Sequence, residues 1–385
     1  MQKKKILVFI NYFGKKSETF ISDEIEFLSS QKDIDLTILH YGKDIPEKKV
    51  IGLYFESNFI KRWLKAVRKF DVKMFAALRY KNGLNGSLVS LIPFFKENRF
   101  DTIYCHFGTN GKLIAELKAL GVFPNETKLV VRFHGLDMNF NKYPKGFYHI
   151  LNKHSNLIIA GSNYAKNQLI KYSIPNDEIL ILPVGIKGKS IGEVSFCKNL
   201  KFNILSVGRL ISLKGHILAI EIIRLFHKHT TNFQYTIVGE GPLKNELELL
   251  IRKYNLKDYV KIIPKLNHEK VLELVENSHV YLYPGIVDKE GRAETQGLAN
   301  LEAMAKGVII LASDVGGVTD YVIDGKTGFL CESGNVESFV NKLQWIIENY
   351  HTDQMTQIRE SAIDMVKSHY CQEELNKKLL ELLMN

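Results

Sequence analysis

Short apolar runs alternate with longer amphipathic stretches along nearly the whole chain. In the first half, strands are predicted at residues 5–10, 35–40, 102–106, 128–133, 157–160 and 179–182. In the second half, they are predicted at residues 202–207, 234–238, 260–263, 280–283, 308–312 and 328–331. This alternation is typical of parallel sheets built from strand–helix–strand units. The sequence therefore predicts an α/β protein with two doubly wound, Rossmann-like sheets.

The length of the chain also favours two domains. A chain of 385 residues exceeds what one ordinary hydrophobic core supports. The stretch 185–200, which mixes glycine, serine and charged residues without sustained periodicity, is the predicted boundary. We expect an N-terminal domain over residues 1–188, a C-terminal domain over 189–365, and a helical tail over 366–385.

One stretch of the second half, residues 284–317, places two carboxylates near the start of a predicted helix. Seven residues separate Glu294 from Glu302, and good helix formers fill 298–306 before Gly307 and an apolar strand. A helix N-terminus offers unpaired amides and partial positive charge to a phosphate. Carboxylates beside it accept hydrogen bonds from hydroxyls. This combination suits a sugar nucleotide, with Gly297 and Leu298 supplying the amides.

Two cations follow the first predicted strand of the second half. Arg209 and Lys214 lie in the sequence SVGRLISLKGH, and such side chains neutralise a diphosphate. Two surface cations at this spacing are common, so the pattern alone is also compatible with an ordinary turn. Further along, Gly239 ends another strand in IVGEGP, and the backbone near Leu266 in IIPKLNHE is a candidate contact for a nucleobase.

The first half contains matching candidates after its own strands. Gly14 lies in a strand-to-helix turn, His106 ends the strand 102–106 in HFGTNG, and His134 and Asp137 follow the strand 128–133 in RFHGLDMN. Ligands of open parallel sheets bind beyond the carboxyl ends of strands, so these residues lie where chemistry is expected. An ordinary turn glycine and structural histidines are the alternatives.

These motifs, taken together and in order, resemble retaining glycosyltransferases of family 4, which have the GT-B fold. The resemblance covers nearly the whole chain and is strongest to the colanic-acid and related exopolysaccharide enzymes. It implies two Rossmann-like domains facing across a cleft, with the last helix crossing back onto the first domain. One departure is Thr295, which stands where the family usually has glycine.

The resemblance also implies roles for the candidate residues. A hexose would move from a nucleotide diphosphate sugar, of which a UDP-sugar is expected, to a lipid-linked or other saccharide acceptor in surface polysaccharide biosynthesis. Arg209 and Lys214 would stabilise the leaving diphosphate, Glu294 the donor-sugar hydroxyls and Glu302 the ribose. Gly14 would face the donor phosphates, His134 would position the donor sugar, and His106 and Asp137 would line the acceptor side. No cofactor or metal is expected, because the cations take the place of Mg²⁺.

The net charge of +10 is unevenly distributed. Residues 1–190 hold 30 Lys and Arg against 17 Asp and Glu, whereas residues 191–385 hold 22 against 25. Within the first half, Phe59, Trp63 and Met74 recur at helical spacing among lysines and arginines. Such a basic amphipathic segment either lies on an anionic membrane surface or packs its apolar stripe on the sheet.

Other features bear on location and on competing functions. The four cysteines are widely separated, and no apolar run has the length of a membrane span, so a cytoplasmic protein is expected. Peripheral contact with the inner face of the cell membrane is the open alternative. A glycosidase is disfavoured because its carboxyls must face each other across one bond. A non-catalytic sugar-nucleotide sensor is the main alternative. Nucleic-acid binding is not expected, because no recognition motif accompanies the basic residues.

Overall fold

The chain folds into two compact α/β units. The computed structural model describes residues 3–14, 19–45, 49–53, 72–73, 85–193, 197 and 201–385, with the backbone alone at 85–90. The first unit comprises residues 1–161, 165–182 and 376–385. The second comprises residues 162–164 and 183–375. Apart from residues 72–73, the basic stretch 54–82 lies outside the described residues.

Seven parallel strands form the sheet of the first unit, in the order β3-β2-β1-β4-β5-β6-β7. The strands are β1 (Lys4–Phe9), β2 (Ile34–His40), β3 (Val50–Gly52), β4 (Thr102–His106), β5 (Lys128–Arg132), β6 (Leu157–Ala160) and β7 (Ile179–Ile181). The six strands predicted in this half are confirmed. The short edge strand β3 was not predicted.

Helices cover the sheet of the first unit. They are α1 (Thr19–Ser29), α2 (Asn85–Glu97), α3 (Gly108–Ala119), α4 (Leu151–His154) and α5 (Asn163–Lys171), and single 3-10 turns lie at Leu136–Met138 and Asn176–Glu178. Leu7, Phe9, Leu113 and Val131 belong to the buried apolar cluster between these helices and the sheet. Nearly every residue of α3 is buried, so this helix forms the centre of the layer.

Six parallel strands form the sheet of the second unit, in the order β10-β9-β8-β11-β12-β13. The strands are β8 (Phe202–Val207), β9 (Phe233–Val238), β10 (Val260–Ile263), β11 (Val280–Tyr283), β12 (Ile309–Ser313) and β13 (Phe329–Cys331). The helices are α6 (His216–Phe226), α7 (Lys244–Lys253), α8 (His268–Glu276), α9 (Leu298–Ala305), α10 (Val336–Asn349) and α11 (Asp353–His369), with 3-10 turns at Gly188–Ser190, Ser212–Lys214 and Gly316–Asp320. All six strands predicted in this half are confirmed.

The strand orders determine where each unit can bind a ligand. In the first sheet β1 lies between β2 and β4, and in the second β8 lies between β9 and β11. After β1 the chain continues to β2, and after β4 it continues to β5 on the opposite side of the sheet; β8 and β11 are followed by β9 and β12 in the same way. Connections that run to opposite sides leave a crevice at the carboxyl ends of the two adjacent strands. The turns after β1 and β4 hold Gly14 and Phe107, and the turns after β8 and β11 hold Lys214 and Pro284. Two of the predicted site residues, Gly14 and Lys214, therefore lie in turns beside these crevices.

The last helix, α12 (Gln372–Met384), brings the C-terminus to the first unit, to which residues 376–385 belong. Its final carbonyls accept hydrogen bonds at the amino ends of the strands. The Leu382 oxygen accepts from Lys128 Nζ at 2.8 Å, and the Leu383 oxygen accepts from Thr102 Oγ1 at 3.0 Å. The expected return of the last helix to the N-terminal domain is thereby confirmed. Among the described residues, no helix is both long and apolar enough to span a bilayer.

Candidate functional site

The centre of the candidate site in the second unit is an ion pair between Lys214 and Glu294. Lys214 ends the 3-10 turn after β8, and Glu294 comes from the loop between β11 and α9. Lys214 Nζ contacts Glu294 Oε2, and it also lies 5.5 Å from the centre of the Tyr283 ring. Each charged side chain is only 16% exposed. Two residues predicted separately, one for a phosphate and one for sugar hydroxyls, are thus in direct contact.

Close backbone packing places Lys214 beside the loop that follows β11. Gly215, the next residue, has a φ of +70°, and a Cβ there would lie 1.6 Å from the Pro284 carbonyl oxygen. The amide of Ile286 also donates to the Leu213 oxygen at 3.2 Å. Only glycine allows both this left-handed conformation and this approach. The turn after β8 and the loop after β11 are therefore fixed against each other.

The loop that carries Glu294 is held from its other side by the glycine pair after β12. The Gly317 amide donates to the Glu294 carbonyl oxygen at 2.8 Å. A Cβ at Gly317 would lie 1.9 Å from the Thr295 carbonyl oxygen. The residues SDVGG therefore serve as a platform for the backbone of Glu294 and Thr295, the position where the chain departs from the family pattern.

A carboxylate clamp precedes Glu294 and was not predicted from the sequence. Asp288 Oδ1 accepts from the amides of Glu290 and Arg292, and Asp288 Oδ2 accepts from Arg292 Nη2 at 2.7 Å. Burial raises the pKa of Asp288, but the hydrogen bonds from Arg292 outweigh it, so the pKa lies below its ordinary value. Arg292 also pairs with Glu290 at 3.0 Å. This arginine stiffens the loop.

Helix α9 begins where predicted and places Glu302 beside His268. Gly297 precedes the helix in the left-handed conformation, and Leu298 is its first residue. Glu302, one turn further, lies 2.9 Å from Nε2 of His268, the first residue of α8. Glu302 was predicted from the sequence but His268 was not, because the two positions are 34 residues apart.

The other candidates of the second unit do not join the ion pair. The Arg209 side chain is exposed and forms no ion pair within the part of the chain that is described. The Gly239 amide donates to the Ile263 oxygen at 2.9 Å, and Leu266 is half-buried between β10 and α8. Arg209 is therefore available to an anion, whereas Lys214 is already paired.

In the first unit, the predicted histidines contact each other. His106 Nδ1 and His134 Nε2 are 3.0 Å apart, and the two rings lie in nearly parallel planes. His106 is fully buried behind His134, which is half-buried. Burial lowers the pKa of both rings well below the ordinary value, so both are neutral at pH 7. His134 is the member of this pair that reaches the surface.

Asp137 and Gly14 occupy different environments in the first unit. Asp137 Oδ2 accepts from the Gly108 amide at 2.7 Å and Oδ1 from the His134 amide at 3.0 Å, so its carboxylate links two loops. Burial raises the pKa of Asp137 to about 6, although these hydrogen bonds oppose the rise. Gly14 is exposed, with a φ of +73°, and no atom of the described residues lies within 4 Å of a Cβ placed on it.

A buried charge pair behind the histidines was also not predicted. Glu24 of α1 contacts Arg132 of β5 and accepts from Tyr104 Oη at 3.0 Å. One feature of the sequence could have indicated this pair: Glu24 falls on the same helix face as Ile21, Ile25 and Leu28. Among the residues that the structure describes, no three His, Cys, Asp or Glu side chains are grouped as ligands for a metal ion.

Comparison with known proteins identifies both halves of the chain. Residues 30–187 match the family described as Glycosyltransferase Family 4, and residues 194–365 match Glycosyl transferases group 1. The chain is 25% identical to WcaL of Escherichia coli K12, a protein named for colanic acid biosynthesis, over 98% of this chain and 99% of WcaL. It is 27% identical to the amylovoran biosynthesis glycosyltransferase AmsK of Erwinia amylovora, over 62% of this chain and 59% of AmsK.

Solved structures resemble the whole fold. A glycosyltransferase from Rickettsia africae superimposes with a TM-score of 0.74 at 18% identity, covering 100% of this chain and 98% of that one. The Anabaena protein HepE, solved in complex with UDP, superimposes with a TM-score of 0.75 at 15% identity, covering 99% of both chains. The matched chains share the GT-B fold with this one.

Proposed function

The chain belongs to the glycosyltransferases that join a family 4 domain to a group 1 domain, and on this premise we propose that it transfers a hexose from a nucleotide diphosphate sugar to a saccharide hydroxyl. The proposed setting is exopolysaccharide biosynthesis, supported by the names of WcaL and AmsK. A UDP-sugar is the proposed donor, supported by the UDP complex of HepE. The acceptor is a lipid-linked or other saccharide.

The observation that carries the proposal is the contact between Lys214 and Glu294 at the crevice of the second sheet. An ammonium suits the leaving diphosphate, and a carboxylate suits the hydroxyls of the donor sugar. In the free protein the two charges neutralise each other. On donor binding, each would exchange its partner for a group of the ligand, so the pair is ready for a ligand that has both anionic and hydroxyl groups.

The proposed reaction needs no side-chain nucleophile. Breaking the bond between the anomeric carbon and the diphosphate oxygen leaves positive charge on the sugar and negative charge on the oxygen. Lys214 and Arg209, with the amides near Gly297, would stabilise the leaving oxygen. The acceptor hydroxyl would attack from the same face, with retention, and its proton would pass to the departing phosphate. Glu302 would hold the ribose, and His134 is the proposed participant from the first unit.

Single substitutions test this assignment. Glu294→Ala, Lys214→Ala and Arg209→Ala should each lower transfer by a factor of about 10² or more, because each removes charge stabilisation. The matched control is Lys244→Ala, which removes one partner of an exposed pair with Glu248 in the same unit. Transfer at wild-type rates by the three site variants would refute the assignment.

Donor screening distinguishes the enzyme from a non-catalytic sensor. UDP-, GDP- and ADP-sugars should be compared by thermal shift, since a ligand that binds only the folded protein raises its melting temperature. A sugar nucleotide that stabilises the chain and is consumed when saccharide acceptors are added supports the transferase. Stabilisation without turnover across an acceptor panel, with the diphosphate sugar intact, would favour the sensor.

Contact with an anionic membrane is a separate proposal that rests on the sequence of residues 59–74 alone. Neutralising Lys61, Arg62, Lys65 and Arg68 should weaken sedimentation with anionic vesicles, because each basic residue near such a surface adds about 1 kcal/mol of attraction. Unchanged sedimentation would exclude this segment as the membrane contact.

A further inference from the structure

A line of polar groups leads from the buried Glu24 to the surface residue His134. His106 lies between them: its Nε2 is 3.6 Å from Glu24 Oε2, and its Nδ1 is 3.0 Å from His134 Nε2. The His106 side chain is completely buried. His106 can therefore exchange hydrogen bonds only with groups fixed by the fold. The remaining ring nitrogen of His134, Nδ1, makes no hydrogen bond with the described residues.

The contact between two neutral imidazoles contains one shared hydrogen. It either belongs to His106 Nδ1 and is donated to His134, or belongs to His134 Nε2 and is donated to His106. In the first case, His106 Nε2 presents a lone pair to the Glu24 carboxylate. In the second, it presents an N–H. A carboxylate repels the lone pair and attracts the N–H, and the attraction is strong because the surroundings are dry. Glu24 therefore favours the second arrangement.

Burial raises the pKa of the Glu24 carboxyl, but the Arg132 guanidinium and the Tyr104 hydroxyl oppose the rise and favour the ionised form. Arg132 of β5 contacts its Oε1, and Tyr104 of β4 donates to its Oε2 at 3.0 Å. Arg132 also donates to the Leu182 carbonyl oxygen at 2.7 Å. On the other side, Asp137 accepts from the backbone amide of His134. The ring of His134 packs against Phe20 and Phe107, which carry no charge. Glu24 is thus the anion next to the imidazole pair.

We propose that Glu24 and His106 are positioning residues that hold His134 with its hydrogen on Nε2 and a lone pair on Nδ1. A neutral His134 in this form accepts hydrogen bonds at Nδ1 and cannot donate there. Its ligand partner is therefore a hydroxyl, such as one on the donor or acceptor sugar, and not a phosphate oxygen. The assignment of a sugar as that partner rests on the proposed function, whereas the tautomer does not.

The tautomer can be measured directly on the full chain labelled with ¹⁵N-histidine. Two-bond ¹H–¹⁵N correlation spectra distinguish a protonated ring nitrogen from an unprotonated one, and the His106→Gln and His134→Gln variants assign the two residues. We expect both rings to carry hydrogen on Nε2 at pH 7. A His134 ring that carries its hydrogen on Nδ1 would overturn the proposal.

Two substitutions distinguish the effect of the Glu24 charge from the effect of a hydrogen bond to its carboxylate. Glu24→Gln offers His106 an amide that can donate as well as accept, so a mixture of both His134 tautomers is expected. Tyr104→Phe removes a hydroxyl from the same carboxylate but keeps its charge, so the wild-type tautomer should persist. A single unchanged tautomer in a folded Glu24→Gln variant would contradict the role of Glu24. If that variant does not fold, the wild-type spectrum still decides the tautomer.

Kinetics then distinguish this proposal from the proposed function. Glu24→Gln should lower kcat/KM at least fivefold and change its pH profile, while Tyr104→Phe should keep the wild-type profile. An inactive wild-type chain with the expected tautomer would refute the transferase and leave the positioning role intact. An active chain whose folded Glu24→Gln variant keeps the wild-type kcat/KM and pH profile would refute the positioning role and leave the transferase intact.

Discussion

Lys214 and Glu294 lie 80 residues apart in sequence, and their side chains form an ion pair in the second unit. Lys214→Met and Glu294→Gln should each lower kcat/KM by a factor of about 10², since each removes a charged donor contact. The loss of kcat/KM in the double variant should be smaller than the product of the two single losses, because the residues contact each other. A double-mutant cycle on transfer measures this coupling, and strictly multiplicative losses would show that they act independently.

The same cycle tests the pair in the free protein. Each single variant leaves one charge without its partner, and we expect it to lose about 1 kcal/mol of unfolding free energy, a value reduced by solvent screening. The double variant should recover part of that loss. The Lys244→Met and Glu248→Gln cycle, on an exposed pair of the same unit, should change stability by less than about 0.5 kcal/mol.

His268 should contribute to nucleotide affinity through Glu302. Its Nε2 lies 2.9 Å from the carboxylate that is proposed to hold the ribose. Removing one such hydrogen bond, worth about 1 kcal/mol, should weaken nucleoside diphosphate binding by a factor of about 3 to 10 in His268→Ala. Calorimetry with UDP, GDP or ADP, whichever binds best, measures the loss.

Two comparisons make the His268 prediction specific. Glu269→Gln, on the same turn of α8 and exposed, should leave the affinity unchanged. The 2′-deoxy form of the nucleotide should show a smaller effect of His268→Ala, because it lacks one hydroxyl for Glu302. An equal effect on both nucleotides would separate His268 from recognition of the ribose 2′-hydroxyl.

Gly215 should be more sensitive to a methyl group than another glycine with the same backbone conformation. Gly215 and Gly325 have φ values of +70° and +68°, but only at Gly215 would a Cβ meet backbone, 1.6 Å from the Pro284 oxygen. Gly325→Ala should cost about 1–2 kcal/mol from the left-handed conformation alone. Gly215→Ala should cost clearly more and reduce transfer, as measured by chemical denaturation and turnover. Equal losses of unfolding free energy in the two variants would mean that the loop after β11 moves away from the added methyl group without an energetic cost.

The sequence predicted the strands better than it predicted contacts. Twelve strands were predicted because each contains a short, largely apolar run, as expected where both faces of a parallel sheet are covered. The edge strands β7 and β13 also have three residues, but all three are apolar. Strand β3 was not predicted because it has only two apolar residues, Val50 and Ile51, before Gly52. Its apolar run is too short to distinguish it from a loop.

Site residues were predicted singly, but the contacts that join them were not. The positions of Glu302 and Lys214 follow from local motifs, but the contacts of Glu302 with His268 and of Lys214 with Glu294 depend on how loops from different strands meet. Glu24 falls on the apolar face of its helix, but its partner Arg132 lies 108 residues away, and neither was predicted. Only the order of the strands brings such positions together.

The pKa of Asp137 predicts a specific pH dependence of stability. Its folded value of about 6 lies above the ordinary 3.8, so the folded state binds more protons between these values. Stability should therefore fall as pH rises from about 4 to 6, by about 3 kcal/mol in total. Asp137→Asn should be less stable overall, since one amide loses its acceptor, but should lack this slope.

The difference between wild type and Asp137→Asn isolates this group. His106, His134 and His279 have lowered pKa values, so their contribution to stability is lost as pH falls below about 6.5, with the opposite sign. Those terms are common to both proteins and cancel in the difference. Parallel stability curves for the two proteins between pH 4 and 7 would show that Asp137 titrates normally in the fold.

The C-terminal helix should stabilise the first unit in particular. Leu383 is fully buried, and its carbonyl accepts a hydrogen bond from Thr102. Leu383→Ala should cost about 2–5 kcal/mol through the lost burial and the cavity left behind, whereas the exposed Glu381→Ala should stay within about 0.5 kcal/mol. Hydrogen exchange locates the effect: amides of β1, β4 and β5 should lose protection while those of β8 and β9 keep it. Equal losses in both sheets would mean that the helix stabilises the chain as a whole.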